Sequence, residues 1–266
     1  METSRAPAPT TSTEAHISIK SVSVWFRSAT GTTHVLHDVT FDIARNELLC
    51  IIGRSGCGKT TLLNVLAGFV RPTSGSVTVS GREVTRPGPD RAVVFQNDAV
   101  FPWMTVEQNI GFSLAARGAD KSETEKIVSR YMELVNLSEF RKAWPRQLSG
   151  GMKKRVDLVR GYVADPEVLL LDEPFGGLDV LTKELLQQEL LKLSLVSPRT
   201  GVFVTHDIEE ALFLADRVIL MSPRPATVAA MWEPNLPKPR DTSIKLTSRF
   251  VELRAEITDV LQQETS

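Results

Sequence analysis

Eight residues, GRSGCGKT from Gly53 to Thr60, lie between the apolar run LLCII and the apolar-periodic TLLNVLAG. Their spacing is G-x-x-x-x-G-K-[ST], set between a strand-like and a helix-like segment, which is the context in which that spacing binds phosphate. The glycines Gly53, Gly56 and Gly58 let the amides from Ser55 through Cys57 to Thr61 wrap phosphate oxygens. Lys59 adds a point charge at the outer phosphates, and the Thr60 hydroxyl is a hard-oxygen ligand for Mg²⁺. A chance Gly-rich turn is the plain alternative, and the order strand, loop, helix disfavours it. VLLLDEP, Val168 to Pro174, ends an apolar strand with two carboxylates. Both belong at the carboxyl edge of a sheet, where α/β ligands bind, because neither charge is tolerated inside it. Adjacent residues point differently, so Asp172 is expected to face Mg²⁺ through its water shell and Glu173 the attacking water as general base. Read alone, the pair is equally well a helix or turn cap. VFVTHD places His206 at a third strand end, and Gln96 follows the strand AVVF, where it can complete a Mg²⁺ shell and polarise water. Either residue alone is an ordinary loop side chain; four strand ends delivering Lys/Thr, Gln, Asp/Glu and His are not.

A fifth stretch, LSGGMKKRVDLVRG from Leu148 to Gly161, opens a helix with Gly150 and Gly151 and then loads it with Lys153, Lys154 and Arg155. Glycine inside a helix costs about 1 kcal/mol relative to alanine, and cations near the N-terminus oppose the macrodipole. An anion seated on the amides after Ser149 would offset this; an ordinary Ser N-cap with a solvated basic face explains it equally well.

The elements that must position these groups follow from patterning. ISIKSVSVWF and HVLHDVTFDI alternate like half-buried strands and predict an antiparallel β layer. LLCII, GSVTVSG and AVVF read as further strands, and VLLL and VFVT, separated by the helical LTKELLQQELLKL, predict a parallel sheet. Met104 to Tyr162 reads as a helical subdomain, with SETEKIVSRYMELVNL its best amphipathic piece. Residues 1–15 are predicted to be a disordered tail, 16–222 the main domain, and 223–266 a Pro-rich loop followed by a helix whose Phe250, Leu253, Ile257 and Leu261 pack one face on the core. No internal repeat is present.

With 31 basic and 32 acidic side chains, net charge −1, no global field recommends nucleic acid as a partner. Two cysteines, Cys50 and Cys57, are too few and too close for a disulfide framework and suggest a reducing compartment, cytosol by default. No apolar run reaches the roughly 18 residues needed to span a bilayer.

On these motifs the chain resembles the ATP-binding subunits of ABC transporters over nearly its whole length after the N-terminal tail. The family's motifs occur in order: the P-loop at 53–60, the glutamine loop at Gln96, the signature LSGGM, LLLDE, the D-loop GGLD ending at Asp179, and the switch histidine His206. The resemblance implies an α/β fold, a P-loop ABC ATPase core with a parallel sheet, an antiparallel β subdomain and a helical signature subdomain. It implies ATP and Mg²⁺ as ligands, with Phe26 as the aromatic platform for adenine and Trp25, of opposite parity, structural. It also implies head-to-tail pairing with a second copy or a paralogous ATPase subunit, so that Ser149, Gly150, Gly151 and the basic helix serve a phosphate held by the partner's P-loop. FQNDAVFPWMTVEQNI, LDEPFGGLD and MSPRPATV…LPKPRD are similar to importer ATPases for nitrate, alkanesulfonates, taurine and related small anions. The implied location is the cytoplasmic side of the cell membrane, with a permease docking near Asp98 to Met104 and an extracytoplasmic solute-binding protein acting indirectly. Phe101 and Trp103 serve equally as subdomain core on this reading. Two positions depart from the usual family pattern: KKRVDLVRGY puts Asp157 and Gly161 into the signature helix, where Asp157 can pair with Lys153, Lys154 or Arg160, and Gly177 replaces the commoner alanine and loosens the D-loop. A soluble ABC ATPase, an exporter ATPase and a small-molecule kinase are the competing classes.

Overall fold

The alternating segment at 17–28 is long enough to bend, and it does. In the computed structural model, which describes residues 15–29, 31–97 and 99–264, β1 (Ile17–Ser28) pairs antiparallel with β2 (Gly31–Ile43). Strict alternation fails at Ser21, whose φ of 48° lies where the register slips between Lys20 and Ser23. The slip changes parity, so Ile17 and Ile19 before it and Val22 and Val24 after it are all buried. After β3 (Leu48–Ile52) and helix α1 (Lys59–Ala67), strands β4 (Ser74–Val79) and β5 (Arg82–Glu83) complete an antiparallel sheet in the order β2-β1-β4-β5.

The rest of the chain runs through β6 (Arg91–Val94), α2 (Val106–Ala116), α3 (Lys121–Leu134), α4 (Gly150–Val163), β7 (Val168–Asp172), α5 (Val180–Val196), β8 (Thr200–Val204), α6 (Ile208–Leu214), β9 (Arg217–Met221), β10 (Val228–Trp232) and α7 (Ser248–Gln263). The second sheet has the order β10-β9-β3-β8-β7-β6, parallel except for β10. Its strands are buried on both faces. Leu49, Ile51, Leu170, Val202 and Val204 pack toward the antiparallel sheet and α1, while Cys50, Ile52, Leu169, Leu171 and Phe203 pack toward the helices. That two-sided burial explains why these strands read as continuous apolar runs, each large side chain being worth about 1.5–3 kcal/mol.

Two elements depart from the sequence expectation. The Pro-rich stretch is not simply a loop: Val228–Trp232 forms β10 on the edge of the sheet, with the prolines confined to its flanks, where no ladder N–H is needed. β9, its partner, was not expected at all. Trp232 Nε1 donates to Glu256 at 2.8 Å and Arg240, buried, donates to the Phe213 and Ala215 carbonyls, so the C-terminal segment is tied to the sheet and to the end of α6. Phe250, Leu253 and Ile257 of α7 are buried and Leu261 packs at their margin, as the helical face requires. The tail expectation for residues 1–14 lies outside the described residues. Among the described residues, no helix is long and apolar enough to cross a membrane.

Candidate active site

Parallel strands present their carboxyl ends on one edge, and here β3, β8, β7 and β6 deliver the loops bearing Lys59, His206, Asp172 with Glu173, and Gln96 to that edge. A cleft of about 240 Å³ is lined by Ser55, Gly56, Gly58, Lys59, Thr60, Thr61, Gln96, Glu173 and Arg224. Eight of these nine residues are among those singled out from the sequence. Arg224 is the exception; it lies within MSPRPATV, between Pro223 and Pro225, and no motif reading gave it a role.

The phosphate loop is held from inside. Lys59 is buried, and its ammonium donates to the carbonyls of Gly53 at 2.8 Å and Arg54 at 3.1 Å, leaving one of its three N–H donors for an anion. Gly58, at φ 134°, sits where an added Cβ would stand 3.0 Å from Leu36 and 3.2 Å from Val35, so only glycine lets the loop lie this close to β2. Cys57 turns its thiol into the core and is a free cysteine, consistent with a role for its backbone only.

Beside it, the Thr60 hydroxyl donates to Asp172 Oδ1 at 3.1 Å. Burial pushes the Asp172 carboxyl above its ordinary range, opposed by the Thr60 bond and reinforced by the neighbouring Glu173 charge. A hydroxyl and a partly desolvated carboxylate side by side fit a hard divalent cation. Among the described residues no cluster of three or more His, Cys, Asp or Glu side chains forms a metal site. Mg²⁺ takes few protein ligands and completes its shell with phosphate oxygens and water. The raised pKa predicts a measurable sign. The ionised carboxylate is disfavoured by folding, so its favourable contribution is present at acid pH and lost as pH rises through the raised value. Asp172→Asn, which cannot ionise, is therefore expected to unfold at higher denaturant than the parent at pH 7.5 in the absence of nucleotide, with the gap narrowing toward pH 4, while Mg²⁺-dependent hydrolysis is lost.

Glu173 takes a φ of 42°, an uncommon conformation for a non-glycine residue. Its amide donates to Val204 and its carbonyl accepts from Gly176, both within the sheet edge. Its Oε2 stands 3.1 Å from His206 Nδ1. His206 itself is exposed but held between fixed neighbours: Thr205 is buried and donates to Glu210, and Asp207 caps α6 by accepting from the Glu209 and Glu210 amides. Gln96 approaches Gly176, whose added Cβ would stand 3.6 Å from Gln96 Nε2.

Two of the signature helix's cations have partners within the chain. Ser149 is the N-cap of α4, its hydroxyl accepting from the Met152 amide at 3.3 Å. Lys154 is buried and donates to the Gln96 carbonyl at 2.5 Å, and Arg155 binds Glu189 of α5 at 2.9 Å. Two of the three cations therefore hold elements of this chain together. Asp157 pairs with Arg160 at 2.7 Å and also accepts from the Ala99 amide at 2.9 Å, while Arg160 donates to the Ala99 carbonyl. The family departure at Asp157 thus clamps the glutamine loop to α4. Asp157→Ala, leaving the Ala99 amide and Arg160 without their acceptor, is expected to cost about 1–3 kcal/mol of unfolding free energy, read from urea titration. Gly161 packs where a Cβ would meet Leu169 and Val94 at 3.1 and 3.2 Å, so it lets α4 seat on the sheet.

Gly151 would place a Cβ 2.6 Å from Thr182, next to Asp179, which caps α5 by accepting from the Thr182 amide. Gly177, at φ 76°, has the backbone that glycine adopts freely. Ser149, Gly150, Gly151 and Asp179 do not line the phosphate-loop cleft of their own chain. Phe26 is exposed at the end of β1, on the parity of Val22 and Val24, and no ring contacts it among the described residues. Trp25 stacks on His34 at 3.7 Å. Asp98 lies outside the described residues. Phe101 packs between Phe112 and the Arg160 guanidinium, whereas Trp103 is 67% exposed and is not core.

The family model described as ABC transporter matches residues 36–176. The chain is 44% identical over 240 residues to the nitrate import ATP-binding protein NrtD of Synechococcus elongatus, covering 89% of this chain and 88% of that one. It is 41% identical to the aliphatic sulfonates import ATP-binding protein SsuB of Bacillus thuringiensis, covering 93% and 95%, and 45% identical to the bicarbonate transport ATP-binding protein CmpD of Synechocystis, covering 86% and 82%. The ATP-binding cassette MJ0796, solved as a dimer in a post-hydrolysis state with ADP and Pi, superposes with a TM-score of 0.71 at 29% identity, covering 82% of this chain and 98% of that one. Motif order, strand-edge geometry and these likenesses agree, and the chain belongs to the ABC transporter family as an ATP-binding subunit.

Proposed function

We propose that this chain hydrolyses ATP with Glu173 as general base and so drives uptake of a small oxyanion through a membrane permease. The observation that carries the proposal is the Glu173–His206 contact at 3.1 Å beside the phosphate loop, in the same cleft as Gln96. Phe26 stacks adenine, the amides from Gly53 to Thr61 wrap the phosphates, and Lys59 neutralises the outer phosphate charge. Thr60, Asp172 and Gln96 would hold Mg²⁺, which would supply positive charge beside the transferred phosphoryl group. Glu173 accepts a proton from the attacking water, and His206 orients Glu173 and stabilises the terminal phosphate.

Each cleft is completed by the signature of a second subunit, a copy of this chain or a paralogue, whose Ser149, Gly150 and Gly151 close on the phosphate while Asp179 contacts the facing loop. The permease docks at residues 98–104, where exposed Trp103 borders a groove shared with Met104, Glu107 and Phe112. Asn109, buried beneath it, holds this loop through bonds to Phe101, Met104 and Thr105. The subunit is peripheral on the cytoplasmic face, and an extracytoplasmic binding protein selects the cargo. Nitrate, an alkanesulfonate, taurine or bicarbonate is the cargo class that the relatives' names support.

The test is growth of a source strain carrying Lys59→Ala, with each of these anions in turn as sole source of nitrogen, sulfur or inorganic carbon. A defect confined to one source and rescued by the parent chain is the expected result. Equal growth on all of them overturns the cargo class.

A further inference from the structure

Arg224 occupies the phosphate-loop cleft without belonging to any of the motifs that define it. We infer that it is an additional nucleotide-binding residue that contacts the outer phosphates of the ATP held by its own chain. This inference rests on the nucleotide reading of the cleft.

The argument begins with how the residue is held. The connection from β9 to β10 closes on itself through Ser222 N donating to the Thr227 carbonyl at 3.1 Å and Thr227 N donating to Ser222 Oγ at 2.9 Å. It is also sewn to β2: the Ala226 amide donates to the Val35 carbonyl and the His37 amide to the Ala226 carbonyl, both at 2.9 Å. Val35 and Leu36 are the side chains against which Gly58 of the phosphate loop packs. The loop bearing Arg224 and the phosphate loop are therefore mounted on the same stretch of β2, and prolines on either side restrict the backbone of Arg224.

The side chain then points at the phosphate loop. Its Nη2 lies 3.9 Å from the position a Cβ would take on Gly56, whose amide is part of the phosphate wrap, and Arg224 lines the cleft together with Lys59, Gln96 and Glu173. Among the described residues it makes no ion pair or hydrogen bond, although the Glu173 carboxylate lines the same cleft. A guanidinium offers a planar fork of donors matched to phosphate oxygens and stays charged at any working pH. Ser55, Gly56, Lys59 and Glu173 line this cleft with Arg224, whereas Phe26, the proposed adenine platform, does not, so the contact is assigned to the terminal phosphates rather than to the nucleoside.

The test uses the full chain at concentrations where it is monomeric, in EDTA, titrated with ATP, ADP and AMP. Arg224→Ala is expected to weaken ATP about 5- to 30-fold and ADP less, to leave AMP unchanged, and to flatten the salt dependence of ATP binding, while Arg224→Lys recovers part of the loss. The thermal midpoint of the ligand-free variant should match the parent, because the side chain holds nothing else in place. ATP affinity within twofold of the parent in Arg224→Ala overturns the inference. So does normal monomer affinity combined with lost dimerisation in a Glu173→Gln background, which would move Arg224 to the partner interface. Lys59→Ala is the control for the underlying reading: if it binds ATP like the parent, the nucleotide site itself is misassigned. If it loses ATP while Arg224→Ala does not, only the role of Arg224 falls.

Discussion

Glu173→Gln is expected to stop ATP turnover while keeping ATP bound. The substitution preserves the size of the side chain and an acceptor for His206, which stands 3.1 Å away, but removes the ability to take a proton from water. A positioned general base contributes about 10²- to 10⁴-fold, so phosphate release should fall by at least about 10²-fold with ATP affinity nearly unchanged. Because nothing then discharges the nucleotide, the variant in Mg-ATP should accumulate as a closed dimer, visible as doubled mass by light scattering and reversed by removing Mg²⁺. Turnover at the parent rate would remove Glu173 as the base. Glu173 itself is held at φ 42° at the sheet edge, through its bonds to Val204 and Gly176.

Lys59→Ala has the second large effect, and it acts earlier. The ammonium shapes the loop through the Gly53 and Arg54 carbonyls, and on the proposed reading it also supplies the charge that meets the outer phosphates. Removing it withdraws a charge-assisted contact worth about 1.5–3 kcal/mol and relaxes the loop that presents the amides. ATP affinity should fall by about 10- to 100-fold, and hydrolysis at moderate ATP should disappear. The two variants separate cleanly: Glu173→Gln binds and does not turn over, whereas Lys59→Ala does not bind. Isothermal titration with and without Mg²⁺ distinguishes them, and hydrolysis at the parent rate by Lys59→Ala would overturn the phosphate-loop assignment.

Much of the chemistry was legible because it is written in consecutive residues. A glycine pattern between a strand and a helix, or two carboxylates at the end of VLLL, constrains a local backbone whose outcome depends little on distant parts of the chain. Parallel strands then bring such ends to one edge, so recognising four strand ends was enough to anticipate that Lys59, Gln96, Glu173 and His206 converge. The core face of α7 was equally legible from helical periodicity.

What the sequence by itself determined, then, is the set of candidate reacting groups and the strand ends that carry them. The tertiary structure alone decided the partners of the polar side chains. Lys154 and Arg155 look like a solvated or phosphate-seeking face, yet they bind the Gln96 carbonyl and Glu189, residues 58 and 34 positions away. Asp157 has several helical-spacing partners on paper, and its choice of Arg160 and the Ala99 amide depends on where the glutamine loop packs. Val228–Trp232 becomes a strand because the exposed edge of β9 offers it a ladder, and Arg224 reaches the phosphate loop because both loops are mounted on β2. Local propensity is a sum over neighbours in the chain. The pairing of a charge or a sheet edge is settled by which distant surface burial brings within about 3 Å, and residue order does not encode that distance directly.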